Sequence, residues 1–378
     1  MTELVLDRVD KVYPLGRHGS VRAVQSFSME VAKGEIVALL GSSGCGKTST
    51  LRMIAGFEEV SAGTIALAGR QIHTLRPARR NVAMAFEGYS LYPPLTVREN
   101  IAFALKSARL DRGEIARKVA EIAHLLEIED ILDRYPSSIS GGQQQRASLG
   151  RALIRDADLH LLDEPMGQLE PQLRTLLRGR IKHFLKVRGL TAILVTHDQT
   201  EANALADRIA VMEGGLMQQF ATPAELKDRP ANLFTGTFIG EPPMNVLAAE
   251  ARVEGDRLQL ALGDGVTLDY AATAFAAPVR QALLARGSVM LGIRPHAVHR
   301  APLGGEDDGA PARVVSNQWL GDQSHIAAEF AGTTLIAVEH DRADVAAGDA
   351  IAIRLAPDDL HMFDPETGAA IAHGGTLA

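Results

Sequence analysis

The chain has 378 residues, more than one compact core usually holds, so two domains are expected. Hydrophobic residues make up 46% and charged residues 22%; 39 Lys and Arg face 46 Asp and Glu for a net charge of −7, which argues against a general nucleic-acid binder because no strong positive field collects phosphates. The single cysteine, Cys45, excludes an intramolecular disulfide, and no stretch approaches the roughly 20 apolar residues of a membrane helix.

The opening MTELVLDRVDKVYP carries acidic residues and no apolar core, so no secretory signal is expected. The run IVALL (36–40) reads as a buried strand that feeds a glycine loop. Leu51, Ile54 and Ala55 then fall at helical spacing, with Gly56 as C-cap. Between strand and helix lies GSSGCGKT (41–48), a match to G-x-x-x-x-G-K-[ST]. A triphosphate needs close backbone approach, which glycines allow, and successive N–H groups at a helix start point at its oxygens. Lys47 is expected to reach the β- and γ-phosphates and Thr48 to ligate Mg²⁺; Gly41, Ser42, Ser43, Gly44, Cys45, Gly46 and Ser49 complete the expected nucleotide-binding loop.

Further along, the pattern predicts a helix over 111–133. Asp111 and Glu114 read as a capping-box pair, and Ile115, Val119, Ile122 and Leu126 share one face. ISGGQQQR (139–146) is a second glycine-serine turn, this time without a lysine. LHLLDE (159–164) reads as a strand ending in two acids, placed where open α/β sheets hold ligands. Asp163 is expected to hold the water shell of Mg²⁺ and Glu164 to polarise the attacking water. AILV (192–195) precedes Thr-His-Asp, which puts His197 at another strand end, within reach of a γ-phosphate; RIAV (208–211) is a further strand. Strands alternating with helices imply a mainly parallel α/β sheet.

The character changes at FIGEPPMN (238–245), which reads as a linker. Beyond it come RLQLAL, VTLDY, SVMLGIRP, ARVVSN, HIAAEF, TTLIAV and AIAIRL, separated by turn residues, with one helical pattern near 278–286. This is the pattern of a small β-barrel or sandwich. The boundary is therefore placed at 238/239.

These motifs, in this order, resemble the ATPase subunit of an ATP-binding-cassette transporter, and the resemblance covers nearly the whole chain. It implies an α/β P-loop domain over 1–238, with a helical subdomain at about 88–155, followed by a small all-β, OB-like domain over 239–378. It explains the turn without a lysine. In that family two ATPase domains pack head to tail, and Ser140, Gly141, Gly142 and Gln143 of one would close over the ATP held by the other. Tyr13 resembles the residue that stacks on adenine. FEGYSLYPPLTVREN (86–100) resembles the loop that faces the membrane subunits. LGIRPHAV (291–298), WLGDQ (319–323) and LHMFDPETG (360–368) resemble the accessory β-domain of importers for sugars, polyols and glycerol phosphates.

The resemblance implies ATP and Mg²⁺ as cofactors and a second ATPase subunit, identical or different, as partner. It also implies two transmembrane permeases, an indirect partnership with a periplasmic or extracellular solute-binding protein, and a peripheral place on the cytoplasmic face of the bacterial inner membrane. No nucleic-acid partner is expected. Two positions depart from the family pattern. Glu87 stands where a glutamine is usual, as nucleotide and metal contact, and MGQLE (166–170) brings Gly167 and Glu170 into a loop that normally ends in aspartate. Both departures keep open a mixed pair of ATPase subunits, or a regulatory subunit with slow turnover. A cassette ATPase acting on ribosomes or DNA is the other rival; a single cassette, the acidic balance and the β-domain speak against it.

Overall fold

The computed structural model describes residues 2–14, 16, 19–88, 90–106, 110–301 and 309–374. The chain forms two compact units, Met1–Pro223 and Ala224–Ala378. The first runs β1 (Thr2–Pro14), β2 (Ser20–Ala32), β3 (Ile36–Gly41), α1 (Lys47–Ala55), β4 (Ala62–Leu67), β5 (Arg70–Gln71), β6 (Val82–Ala85), α2 (Val97–Phe103), α3 (Arg112–Leu126), α4 (Gly141–Leu153), β7 (Leu159–Asp163), α5 (Pro171–Val187), β8 (Ala192–Thr196), α6 (Gln199–Leu205), β9 (Arg208–Glu213) and β10 (Leu216–Ala221).

Two sheets build this unit. The first is antiparallel, in the order β2-β1-β4-β5, and the end of β1 carries Tyr13. The second runs β10-β9-β3-β8-β7-β6; it is parallel throughout except at its β9–β10 edge. Every residue of β3, β7 and β8 is buried, which is why these strands read as continuous apolar runs rather than alternations. Leu4, Leu6 and Val9 of β1, Val37 and Leu39 of β3, Leu51 and Ile54 of α1, and Ile193 of β8 share one core, each side chain contributing about 1.5–3 kcal/mol by leaving water.

The helix expected over 111–133 is shorter. Asp111 does cap it, accepting the Glu114 N–H at 2.8 Å, but α3 stops at Leu126 because Glu127 turns left-handed at φ 52°. The Arg146 guanidinium takes up the freed carbonyls of Leu126, at 2.9 Å, and Glu127. Ile128 and Ile131 then bury from a separate short turn, which one helical stripe could not achieve. Full reciprocal capping boxes occur elsewhere, at Thr96 with Glu99 and at Ser140 with Gln143.

The second unit holds α7 (Pro223–Asp228), α8 (Leu233–Phe238), β11 (Asn245–Glu254), β12 (Arg257–Ala261), β13 (Thr267–Ala271), α9 (Ala277–Arg286), β14 (Ser288–Ile293), β15 (Val298–Ala301), β16 (Ala310–Trp319), β17 (Ser324–Phe330), β18 (Thr333–Glu339), β19 (Ala350–Leu355), β20 (Leu360–Phe363) and β21 (Ala370–His373). Two antiparallel sheets, β13-β12-β11-β14-β20-β21 and β15-β19-β16-β17-β18, share one core that includes Leu258, Leu291, Phe330, Ile353 and Met362. The helix near 278–286 is α9.

By packing, the chain divides between Pro223 and Ala224, so α7 and α8 belong with the β-rich strands. Buried Arg294 explains this: its guanidinium donates to the carbonyls of Lys227 at 2.9 Å, Gly236 at 2.8 Å and Ile239, tying α7 and α8 to the β-rich unit. The Leu233 N–H also donates to the Gly368 carbonyl at 2.8 Å. Among the described residues no helix is long and apolar enough to cross a membrane.

Candidate functional site

β3 ends at Gly41, and the loop to α1 closes under it. Lys47 is almost fully buried; its Nζ donates to the carbonyls of Gly41 at 2.7 Å and Ser42 at 2.8 Å, and lies 3.7 Å from Cys45 Sγ. The ammonium is therefore held inside the turn of the loop. Gly46, the N-cap of α1, sits at φ 105°; a Cβ there would lie 2.4 Å from the Ala23 carbonyl oxygen, so both conformation and space require glycine. Ser43 and Gly44 are exposed, and a Cβ on Gly44 would meet no atom within 4 Å, leaving the loop open above its N–H groups. Ser42 Oγ donates to Glu213 Oε2 at 2.5 Å, an anchor from the end of β9 that the sequence motif does not reveal. Thr48 and Ser49 are half-buried, and Tyr13 O–H lies 3.1 Å from Ser49 Oγ, which sets the tyrosine beside the loop.

β8 and β7 follow β3 in the sheet, and their carboxyl ends carry the remaining groups. Asp163, on β7, is buried, and its Oδ1 has no hydrogen-bond partner. Burial above all, with the charges of Glu87 and Glu164, pushes its carboxyl up to about 6, while Arg52 and Lys47 pull the other way. A buried oxygen without a donor, among groups that disfavour its charge, suits a cation. Among the described residues no three His, Cys, Asp or Glu side chains gather to hold an ion.

Glu164 adopts φ 48°, an uncommon left-handed conformation for a side-chain-bearing residue. Its N–H donates to the Val195 carbonyl at 2.9 Å, its carbonyl accepts the Gln145 Nε2–H at 2.8 Å, and its Oε1 lies 3.0 Å from His197 Nδ1. The backbone thus turns the carboxylate away from the core and toward the imidazole at the end of β8. Behind His197, Asp198 caps α6 and pairs with Arg174 at 3.2 Å. Glu201 is buried and accepts from Thr196 Oγ1 at 2.9 Å.

Ser140 stands exposed at the N-cap of α4. Its Oγ accepts the Gln143 N–H at 3.3 Å, and the Gln143 side chain folds back to accept the Ser140 N–H at 2.9 Å. Gln143 is thus engaged in capping, while Gly141 and Gly142 form the first turn. Glu87 is exposed, just beyond β6; the neighbouring Tyr89 lies outside the described residues. Glu170 caps α5 without a side-chain bond. Gln145, Glu213, Arg174 and Glu201 escaped the sequence reading. Gln145 lay in view within the glutamine run, but no local pattern says which glutamine turns inward.

The profile of the ABC transporter family matches residues 24–167, and that of the TOBE domain matches residues 291–363. The sn-glycerol-3-phosphate import ATP-binding protein UgpC of Cereibacter sphaeroides is 42% identical over 371 residues, covering 97% of this chain and 99% of that protein. The trehalose import ATP-binding protein SugC of Mycobacterium tuberculosis is 45% identical over 307 residues, 80% of this chain and 74% of that protein. Among solved structures, the dimeric post-hydrolysis state of the ATP-binding cassette MJ0796 bound to ADP and Pi aligns at a TM-score of 0.54 with 25% identity, covering 58% of this chain and 98% of that one.

Proposed function

This chain belongs to the ABC transporter family, and on that premise we propose that it is the ATP-hydrolysing subunit of an importer for a sugar, a polyol such as glycerol, or a glycerol phosphate. The observation that carries the reading is the convergence, at the carboxyl ends of β3, β7 and β8, of a buried P-loop lysine, an Asp163 carboxylate whose Oδ1 has no hydrogen-bond partner, and a Glu164–His197 pair. In this reading the loop 41–49 and the start of α1 hold the phosphates, and Tyr13 stacks on the base. Thr48, Asp163 and Glu87 hold Mg²⁺, which neutralises phosphate charge when bound. Glu164 orients the attacking water, and His197 holds the Glu164 carboxylate and contacts the γ-phosphate.

Ser140 to Gln143 act on the nucleotide of a second ATPase subunit. Closing of the pair on ATP and reopening after hydrolysis would move two separate permeases at the cytoplasmic face of a bacterial inner membrane, with the solute delivered by a binding protein. In this reading the ATPase domain, as a sequence module, extends to about 238, past the packing division at 223/224, and the accessory domain covers 239–378.

The test is reconstitution of the full chain with its cognate permeases and binding protein in liposomes. ATP-dependent uptake of sn-glycerol 3-phosphate, glycerol or trehalose supports the reading; solute-independent turnover with no uptake of any of these defeats it.

A second reading rests on Glu87 and Glu170. Both fall where a homodimer of this family needs particular hydrogen bonding, so the chain would pair with a different ATPase subunit, or bind ATP and turn it over slowly in such a pair. Full assembly and normal transport without a second ATPase would reject the mixed pair. Single-turnover hydrolysis at this chain's own site would reject the slow regulator.

A further inference from the structure

Gln145 lies one and a half turns into α4, almost wholly buried at 5% exposure. Its side-chain amide makes two hydrogen bonds to one loop: Nε2–H donates to the Glu164 carbonyl at 2.8 Å, and Oε1 accepts the Gln168 N–H at 3.0 Å. Both ends of a neutral amide are thus satisfied by the backbone that follows β7, in a place where an unmade bond is costly. The same helix touches the same loop a second time. A Cβ on Gly142 would come within 3.1 Å of the Gln168 carbonyl oxygen and 3.5 Å of a Leu169 methyl group, so the first turn of α4 lies flat against residues 168–169.

The loop is packed, with Met166 and Leu169 buried and the Leu169 N–H donating to the Met166 carbonyl at 3.2 Å. Glu164 is held in its left-handed conformation by the bond from its N–H to Val195 and by the bond from Gln145 to its carbonyl. Arg174 grips the far side, donating to the Leu169 carbonyl at 3.1 Å while pairing with Asp198, next to His197. A shift of the α4 N-terminus therefore acts on the backbone torsion that aims the Glu164 carboxylate.

We propose that Gln145 is a positioning residue that couples the exposed Ser140 turn to the orientation of Glu164 in the same chain. This rests on the nucleotide-sandwich reading above. If Ser140 meets the ATP of the partner subunit and Glu164 serves this chain's own ATP, the Gln145 amide reports occupancy of one site to the other. The loop is packed rather than slack, so small movements of the helix are transmitted instead of absorbed.

The experiment is steady-state ATP turnover by the full transporter complex carrying Gln145→Leu, Ser140→Ala or both. ATP affinity is measured separately with a fluorescent ATP analogue. Turnover by the unsubstituted complex checks the underlying reading, and the variants are compared only with that rate. Gln145→Leu keeps side-chain volume but makes neither bond. It should lower kcat on the order of tenfold or more with ATP affinity held within about threefold. The double variant should lose little more than the worse single one, because both interrupt one linkage. Gln145→Glu keeps the acceptor for Gln168 but faces the Glu164 carbonyl with a second acceptor; it should also lose kcat, and it decides the matter should Gln145→Leu fail to fold. An unchanged kcat in a folded variant, a loss confined to ATP affinity, or losses that multiply in the double variant would overturn the coupling.

Discussion

The Nδ1 atom of His197 lies 3.0 Å from Oε1 of Glu164, across the gap between the ends of β8 and β7. Glu164 is mostly covered, with 17% of its side chain exposed, whereas His197 is 73% exposed. The histidine therefore lids the carboxylate, and an Nδ1–H donor fixes one of its two oxygens and leaves the other to act. Replacing His197 with alanine should free that carboxylate and lower kcat on the order of a hundredfold while ATP affinity changes little. Turnover assays combined with equilibrium nucleotide binding measure the two quantities separately.

Lys47 and Glu164 should fail in different ways. Lys47→Ala removes the cation buried inside the loop turn, where it holds the Gly41 and Ser42 carbonyls, so nucleotide affinity should fall on the order of a hundredfold. Glu164→Gln leaves the phosphate cradle intact. ATP should stay bound while hydrolysis drops by about a thousandfold, and the ATPase pair should accumulate closed. Equal losses of ATP affinity in both variants would contradict the assignment.

Glu87 adds its charge to those that raise Asp163. Glu87→Gln removes that charge without changing side-chain size. It should weaken divalent-ion binding to the nucleotide-loaded protein by a few-fold, about 1 kcal/mol or less, because Glu87 is exposed and screened. Titration of the ADP-loaded protein with Mn²⁺, followed by electron paramagnetic resonance, reads this without reference to turnover. Unchanged Mn²⁺ affinity would remove Glu87 from the metal shell.

Glu201 makes stability fall as pH rises. Burial first, then the charges of Asp198 and Glu164, push its carboxyl up to about 7 from an ordinary value of 4.5, against the opposing Thr196 hydrogen bond and Arg178. Between these values the unfolded chain has lost the proton that the folded chain keeps, so unfolding becomes easier as pH rises through this window and levels off above it. The loss amounts to about 3 kcal/mol at most. Glu201→Gln keeps an acceptor for Thr196 and cannot ionise. It should flatten the denaturation profile between about pH 5 and about pH 8 and be the more stable protein at the upper end.

Arg294 should prove a stability residue of the second unit. Its guanidinium serves the carbonyls of Lys227, Gly236 and Ile239, and burial draws its pKa down to about 10. Arg294→Met fills similar space but leaves those acceptors unserved, at a cost of about 3 kcal/mol. Thermal unfolding of the full chain should show the β-rich unit melting earlier, with the ATP-binding unit unchanged.

Much of this protein is legible in its sequence, for a local reason. A phosphate loop, a strand ending in acids and a helix cap are each built from neighbours in sequence. GSSGCGKT, LHLLDE and Thr-His-Asp therefore identify themselves, as does the change to short strands after residue 245. The two long strands that open the chain passed unrecognised because their ladder, with its register shifts, shows no clean alternation. Helix α3 ends earlier than its apolar spacing predicts because Arg146, reaching back from α4, takes up its last carbonyls.

What tertiary structure decided is which distant residues meet. Sequence spacing cannot show that Gln145 grips the Glu164 carbonyl, that Glu213 anchors Ser42, or that Arg294 draws the helices before residue 240 into the second unit. Each of these is a side chain bonded to backbone or loop far along the chain, and such bonds depend on how the elements pack rather than on any periodicity within them. The motifs of this chain are written locally; the aim of the Glu164 carboxylate is settled by packing.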